Sequence, residues 1–157
     1  MSSILSNSPV IKKANGYLNL MRTGNHDSIY TEYFKQIGID SIYLECEIDK
    51  IFRDLGTITE YKIAKVKPFP FFGSNETKLT YDVLFSKGGY YWAFLDIVKD
   101  SNNNLGLDGN IDFVPNTKNQ IRNKSYAIRR IIDNHFFYNE KNGYYRDETN
   151  YQCNPNE

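Results

Sequence analysis

Residues 79–98 read LTYDVLFSKGGYYWAFLDIV, and they decide the fold class. Leu79, Tyr81, Val83 and Phe85 alternate with Thr80, Asp82, Leu84 and Ser86, the two-residue period of a strand. Gly88-Gly89 has the composition of a two-residue hairpin turn, and Tyr90–Lys99 returns as a second strand. With that turn, facing residues have numbers that sum to 177. Phe85 then opposes Trp92, Val83 opposes Phe94, Tyr81 opposes Asp96, and Leu79 opposes Val98. All eight fall on one face, because strand side chains alternate. The other face pairs Leu84 with Ala93, Asp82 with Leu95, and Thr80 with Ile97. It is apolar enough to need a cover, and Leu84, Leu95 and Ile97 are its self-association candidates.

More strands flank this hairpin. Thr57–Lys67 is rich in β-branched residues, and Pro68 and Pro70 end it. Asn102-Asn103-Asn104 turns the chain, and Leu107–Val114 runs up to Pro115. Helices come first. Ser8-Pro9 reads as an N-cap and first helical position. Val10, Ala14, Tyr17, Leu18 and Met21 follow at helical spacing until Gly24. Asp27 starts a second segment with Ile29, Tyr30, Tyr33, Phe34 and Ile37, ended by Gly38. Leu44, Ile48, Ile51, Phe52 and Leu55 form the stripe of a third helix, and Gly56 takes the position after its end. In the tail, Ile121, Ile128, Ile131 and Ile132 predict a helix from Ile121 to about Phe137. An aromatic run through Tyr151 follows. The expected fold is α+β, with N-terminal helices packed on a curved antiparallel sheet in residues 1–115. A helical, aromatic extension over 116–157 packs on the same domain.

The 157 residues suit one domain with its own core. Nineteen Lys plus Arg balance nineteen Asp plus Glu. That excludes a strongly basic nucleic-acid binder, which needs clustered positive charge. No apolar run reaches the ~20 residues that span a bilayer. Met1–Val10 lacks a basic region followed by a long apolar stretch, so a cytoplasmic location is expected. Cys46 and Cys153 cannot make a disulfide framework or a four-thiolate zinc site, and are expected as a buried and a free thiol. The sequons at Asn75 and Asn123 arise at the frequency expected by chance in so Asn-rich a chain.

Helices followed by a curled antiparallel meander resemble the cone-shaped α+β fold of the nuclear transport factor two-like superfamily. Three stretches carry the likeness. Leu55-Gly56-Thr57-Ile58 leads from the last helix into the first long strand. Tyr81–Phe85 followed by Gly88-Gly89-Tyr90-Tyr91-Trp92 looks like the paired long strands. Leu107–Pro115 looks like the final strand. The likeness covers about residues 9–115. It implies either a small enzyme (isomerase, dehydratase or cyclase) or a cargo- or toxin-binding protein, so the fold does not choose the function.

Tyr81 and Asp96 are the catalytic candidates. An acid on an apolar concave face loses hydration, which raises its pKa toward that of a general base. The resemblance adds a cavity there, in which carboxylate and tyrosine do the isomerase chemistry. Asp82 is a weaker candidate at an exposed strand position. His26 and His135 are too far apart in the chain to suggest a metal pair. Asp100, Asn102, Asn104, Gly106 and Asp108 have the odd spacing of a calcium loop. Leu105 and Ile111, however, stand where that loop needs Gly and Glu. No metal and no cofactor is expected.

Two features suit a protein partner. Phe69, Phe71 and Phe72 crowd a loop that cannot easily bury three rings. Residues 27–60 carry a net charge of −5. Within them Glu45, Glu47, Asp49 and Asp54 offer a surface for a basic partner. The expected function is non-catalytic binding, specifically an immunity protein that neutralises a bacterial toxin by direct contact. A homodimer is compatible with it. The alternative is the small enzyme acting on a hydrophobic molecule in the cavity.

Overall fold

The structure, a computed structural model, describes residues 8–24, 26–29, 31, 41–68, 76–99, 101–128, 136–139 and 143–146. Among the described residues, three helices precede the sheet: α1 (Pro9–Thr23), α2 (His26–Ile29) and α3 (Ser41–Leu55). Five antiparallel strands follow in chain order: β1 (Ile58–Pro68), β2 (Glu76–Phe85), β3 (Gly89–Lys99), β4 (Leu105–Pro115) and β5 (Tyr126–Ile128). A separate hairpin pairs β6 (Phe136–Asn139) with β7 (Gly143–Arg146). The α+β class is as expected, with an open sheet bounded by β1 and β5. Among the described residues, no helix is long and apolar enough to cross a membrane.

The helix boundaries follow local chemistry. Pro9 opens α1, where its missing N–H costs nothing. Gly24, left-handed at φ 68°, closes it by donating to the Leu20 carbonyl. Ile11, Ala14, Tyr17, Leu18 and Met21 bury one face of α1, and Ile48, Ile51 and Leu55 bury one face of α3. Each full burial of an aliphatic side chain contributes about 1.5–3 kcal/mol. Two polar bonds fix α1 over the sheet. Tyr81 OH donates to Asn15 Oδ1 and Tyr61 OH donates to Asn19 Oδ1, each at 2.7 Å.

The end of α3 sets the hairpin. The Leu55 carbonyl accepts from Lys87 N at 2.8 Å and from Gly88 N at 3.0 Å. These two bonds satisfy an acceptor that a helix end otherwise leaves without a partner. Gly56 is left-handed at φ 78°, and any side chain there would drive into Ser86. A Cβ on Gly88 would stand 3.1 Å from the Leu55 Cα, so only glycine allows this approach.

The turn is therefore three residues, Ser86-Lys87-Gly88, with Gly89 (φ 81°) already paired to Phe85. This corrects the two-residue turn at Gly88-Gly89. Facing residues sum to 174, not 177: Tyr81 opposes Ala93, Val83 opposes Tyr91, and Leu79 opposes Leu95. An odd shift turns every β3 side chain to the other face. Tyr91, Ala93, Leu95 and Ile97 point into the helix-covered core, while Trp92, Phe94, Asp96 and Val98 point away.

The predicted tail helix is also corrected within the described residues. Ile121–Ser125 is irregular, and Tyr126 and Ile128 lie in β5, paired with Phe113 and Ile111 of β4. Tyr91 OH holds the preceding loop by donating to the Lys124 carbonyl at 2.9 Å. Asn119 Nδ2 donates to the Arg122 carbonyl within the same loop. Asn102 and Asn104 sit at a hairpin turn, and Gly106 already pairs with Val98, so the odd spacing there belongs to a β3–β4 connection.

Candidate binding face

The sheet has one face under the helices and one away from them. On the outer face, strand register places side chains in rows. Glu60, Leu84 and Tyr90 form the first row. Lys62, Asp82, Trp92 and Val114 form the second, and Lys65, Thr80, Phe94, Asp112 and Ala127 the third. Lys67, Lys78 and Asp96 form the fourth. Tyr90, Trp92 and Phe94 thus stand in line along the central strand. Phe94 is 38% exposed and Val114 37%, and Tyr90 and Trp92 are half-buried.

Asp82 anchors one side of this face. It is 8% exposed, and it accepts from Asn116 Nδ2 at 3.1 Å and from Lys118 Nζ at 2.9 Å. Asn116 in turn donates its backbone N–H to the Tyr90 carbonyl at 3.1 Å. Its side-chain oxygen accepts from the backbone N–H of Lys118 at 3.0 Å. Lys118 Nζ also lies 5.2 Å from the Tyr90 ring centroid, a cation–π distance. The hydrogen bond to Asp82 raises the Lys118 pKa, so its ammonium is held charged. Glu60, Lys62, Asp82, Leu84, Tyr90 and Lys118 line a cleft of about 360 Å³. Each Asp82 oxygen accepts one of these donors, so this carboxylate fastens residues 116–118 to the sheet. That corrects the exposed position expected for it.

The catalytic pair does not form. Tyr81 is 1% exposed in the core, and burial raises its pKa. Asp96 lies on the opposite face and accepts from Lys78 Nζ at 3.3 Å. The apolar patch of Leu84, Leu95 and Ile97 does not form either. Leu95 and Ile97 are each 1% exposed under the helices, and Leu84 alone faces outward. Both corrections have the single cause of the three-residue turn.

The acidic residues separate. Glu45 and Asp49 are exposed on α3, and Glu47 pairs with Lys50 at 3.4 Å. Asp54 is not a surface charge. Its carboxylate meets Arg53 Nε at 2.9 Å, Arg122 at 3.0 Å and the Tyr126 OH at 2.7 Å. The Arg53 bond, with Tyr126 and Arg122 behind it, holds its pKa down at about 2. Burial and the same carboxylate push the Tyr126 phenol up. An acid in the last turn of a helix opposes the helix dipole, and these three donors compensate it. Asp54 therefore clamps the loop before β5 to α3.

Phe69, Phe71, Phe72, His135 and Asp100 lie outside the described residues, as do the side chains of His26 and Asp108. Among the described residues, no group of three His, Cys, Asp or Glu could hold a metal ion. Cys46 is disulfide-bonded rather than a buried thiol, and Cys153 lies outside the described residues.

No family model matches the sequence, and no curated protein or solved structure matches the chain.

The outer-face residues were within reach of the sequence. Tyr90, Trp92 and Phe94 share strand parity, so one correct turn would have placed all three outward. Asn116 and Lys118 carried no such signal, because their partner Asp82 is more than thirty residues away.

Proposed function

We propose that this chain is a non-catalytic protein-binding domain that takes its partner on the outer face of the sheet. The observation that carries the reading is the row of Tyr90, Trp92 and Phe94 on the central strand. Aromatic side chains lose little entropy on contact and dominate binding energy where they sit at the centre of an interface. The sheet holds their backbones in place, so little ordering cost opposes binding. In its specific form the proposal is capture of a protein toxin, with the exposed carboxylates of Glu45 and Asp49 on α3 contributing negative charge that steers a basic partner. Membership of the nuclear transport factor two-like superfamily belongs to the same proposal. The order of elements supports it: helices first, then a meander in chain order. The enzyme reading has lost its Tyr81–Asp96 pair. The disulfide at Cys46 favours an oxidising compartment over the expected cytoplasm.

Affinity capture from the source lysate tests the reading, with wild type and Phe94→Asp run side by side. One protein in roughly equal amount is expected with wild type and not with Phe94→Asp. Absence of any such protein, or its retention by Phe94→Asp, would overturn the proposal.

A further inference from the structure

The outer face carries a column of positive charge beside its aromatic column. Lys62, Lys65 and Lys67 stand exposed on β1 in the second, third and fourth rows, and Lys78 of β2 lies opposite Lys67. Lys78 is engaged by Asp96 at 3.3 Å and by Glu76 at 4.0 Å. Among the described residues, no carboxylate pairs with Lys62, Lys65 or Lys67. Asp82, opposite Lys62, is already held by Lys118 at 2.9 Å. Glu60 in the first row is the acid of the β1 column, and below it three cations stand in line.

The edge of β1 does not invite another strand. Its register is broken twice, between Ile58 and Glu60 and between Ile63 and Lys65. Bulges and lysines deter edge-to-edge pairing. A helix laid on the face needs no backbone partner, and the dimensions fit one. β1 and β3 are two strand spacings apart, about 9.6 Å, and a helix with its side chains is about 10–12 Å across. A helix aligned with the strands over β2 thus reaches both the lysines and the column of Tyr90, Trp92 and Phe94. The repeats match as well. Alternate residues of a strand rise about 6.6 Å, and residues four apart in a helix rise about 6 Å. Apolar side chains at every fourth position can follow the aromatic column, while carboxylates at every fourth position follow the lysines. Asp112 of β4 lies on the far side of Phe94 from Lys65, so the acidic flank turns toward β1.

We propose that the outer face docks an amphipathic helix of the partner, apolar toward Trp92 and Phe94 and acidic toward Lys62, Lys65 and Lys67. The inference rests on the reading of this face as a contact surface. The carboxylates of Glu45 and Asp49 belong to α3, on the helix-covered side of the sheet, and meet a different part of the partner.

Two synthetic peptides of about twenty residues, each long enough to hold a helix, test it. Both lack tryptophan and carry one leucine face. One has glutamates along a flank, and the other has lysines at the same positions. Each is titrated into the full chain, and the fluorescence of Trp92 reads binding. The glutamate peptide is expected to bind, more weakly as salt rises. The lysine peptide should bind at least about tenfold more weakly. An exposed ion pair contributes about twofold to fivefold in affinity. Lys62→Glu, Lys65→Glu and Lys67→Glu together should therefore weaken the glutamate peptide about tenfold and reverse the preference. Phe94→Asp should remove binding of both, and circular dichroism checks the fold of every variant. Equal binding of the two peptides would overturn the inference. So would a triple variant that holds the glutamate peptide as wild type does, since the lysines would then only guard the edge. Failure of both peptides, while wild type still captures a protein that Phe94→Asp loses, would remove the helix and leave the proposed function standing. A bound glutamate peptide with no captured protein would do the reverse.

Discussion

Leu95→Asp is expected to abolish cooperative folding, while Phe94→Asp, one residue earlier, leaves the fold intact. Leu95 is 1% exposed beneath the helices, opposite Leu79, and Phe94 is 38% exposed on the outer face. The exchange at Leu95 removes about 1.5–3 kcal/mol of apolar burial. It also buries a carboxylate among apolar side chains such as Leu79 and Ile111, at a cost of several kcal/mol more. The sum is comparable to the whole stability of a small domain, about 5–15 kcal/mol. At Phe94 the aspartate meets water, and the change should stay within about 1 kcal/mol. Thermal unfolding followed by circular dichroism reads both. A cooperative Leu95→Asp transition near that of wild type would mean that β3 is turned the other way, with Tyr81 facing Asp96 after all.

Asp54→Asn should destabilise the chain by about 2 kcal/mol at neutral pH, and this loss should vanish in acid. The folded-state pKa of Asp54 is depressed from 3.8 to about 2. A depressed carboxylate pKa contributes stability that is fully present above the unfolded value and is lost as pH falls through the folded one. The window therefore runs from about pH 4 down to about pH 2. The shift corresponds to about 2 kcal/mol at 1.36 kcal/mol per unit. Urea unfolding of both proteins at several pH values isolates the term, because the other carboxylates cancel in the difference. A gap of the same size at pH 2 and pH 7 would show that Asp54 acts through packing rather than charge.

The α+β class was legible because its cues are local. Ser8-Pro9, Gly24 and Gly56 bound two helices, and the alternation from Leu79 to Phe85 marks a strand. The register was not legible. Gly88-Gly89 favours a two-residue turn by composition, but the Leu55 carbonyl binds Lys87 and Gly88 and moves the turn. That contact joins residues more than thirty positions apart, and no local pattern reports it. Its consequence reached the site, since one odd shift exchanged Trp92 and Phe94 with Ala93 and Leu95. The tail failed for a different reason. Tyr126 and Ile128 fit a strand as well as a helix, and four isoleucines over twelve positions could not decide between the two periods. Asp54 misled because its donors, Arg122 and Tyr126, come from a distant loop and strand.

Trp92 is the chain's single tryptophan, and it lies on the outer face between Asp82 and Val114. Its fluorescence therefore reports on that face alone. Acrylamide quenching of Trp92 in dilute folded protein tests most directly whether the face is open for contact. Quenching should be a substantial fraction of that of free tryptophan amide, and it should fall when a partner binds. An indole already shielded in the dilute chain, as a core residue is, would mean that the face is covered from within and is not a binding surface.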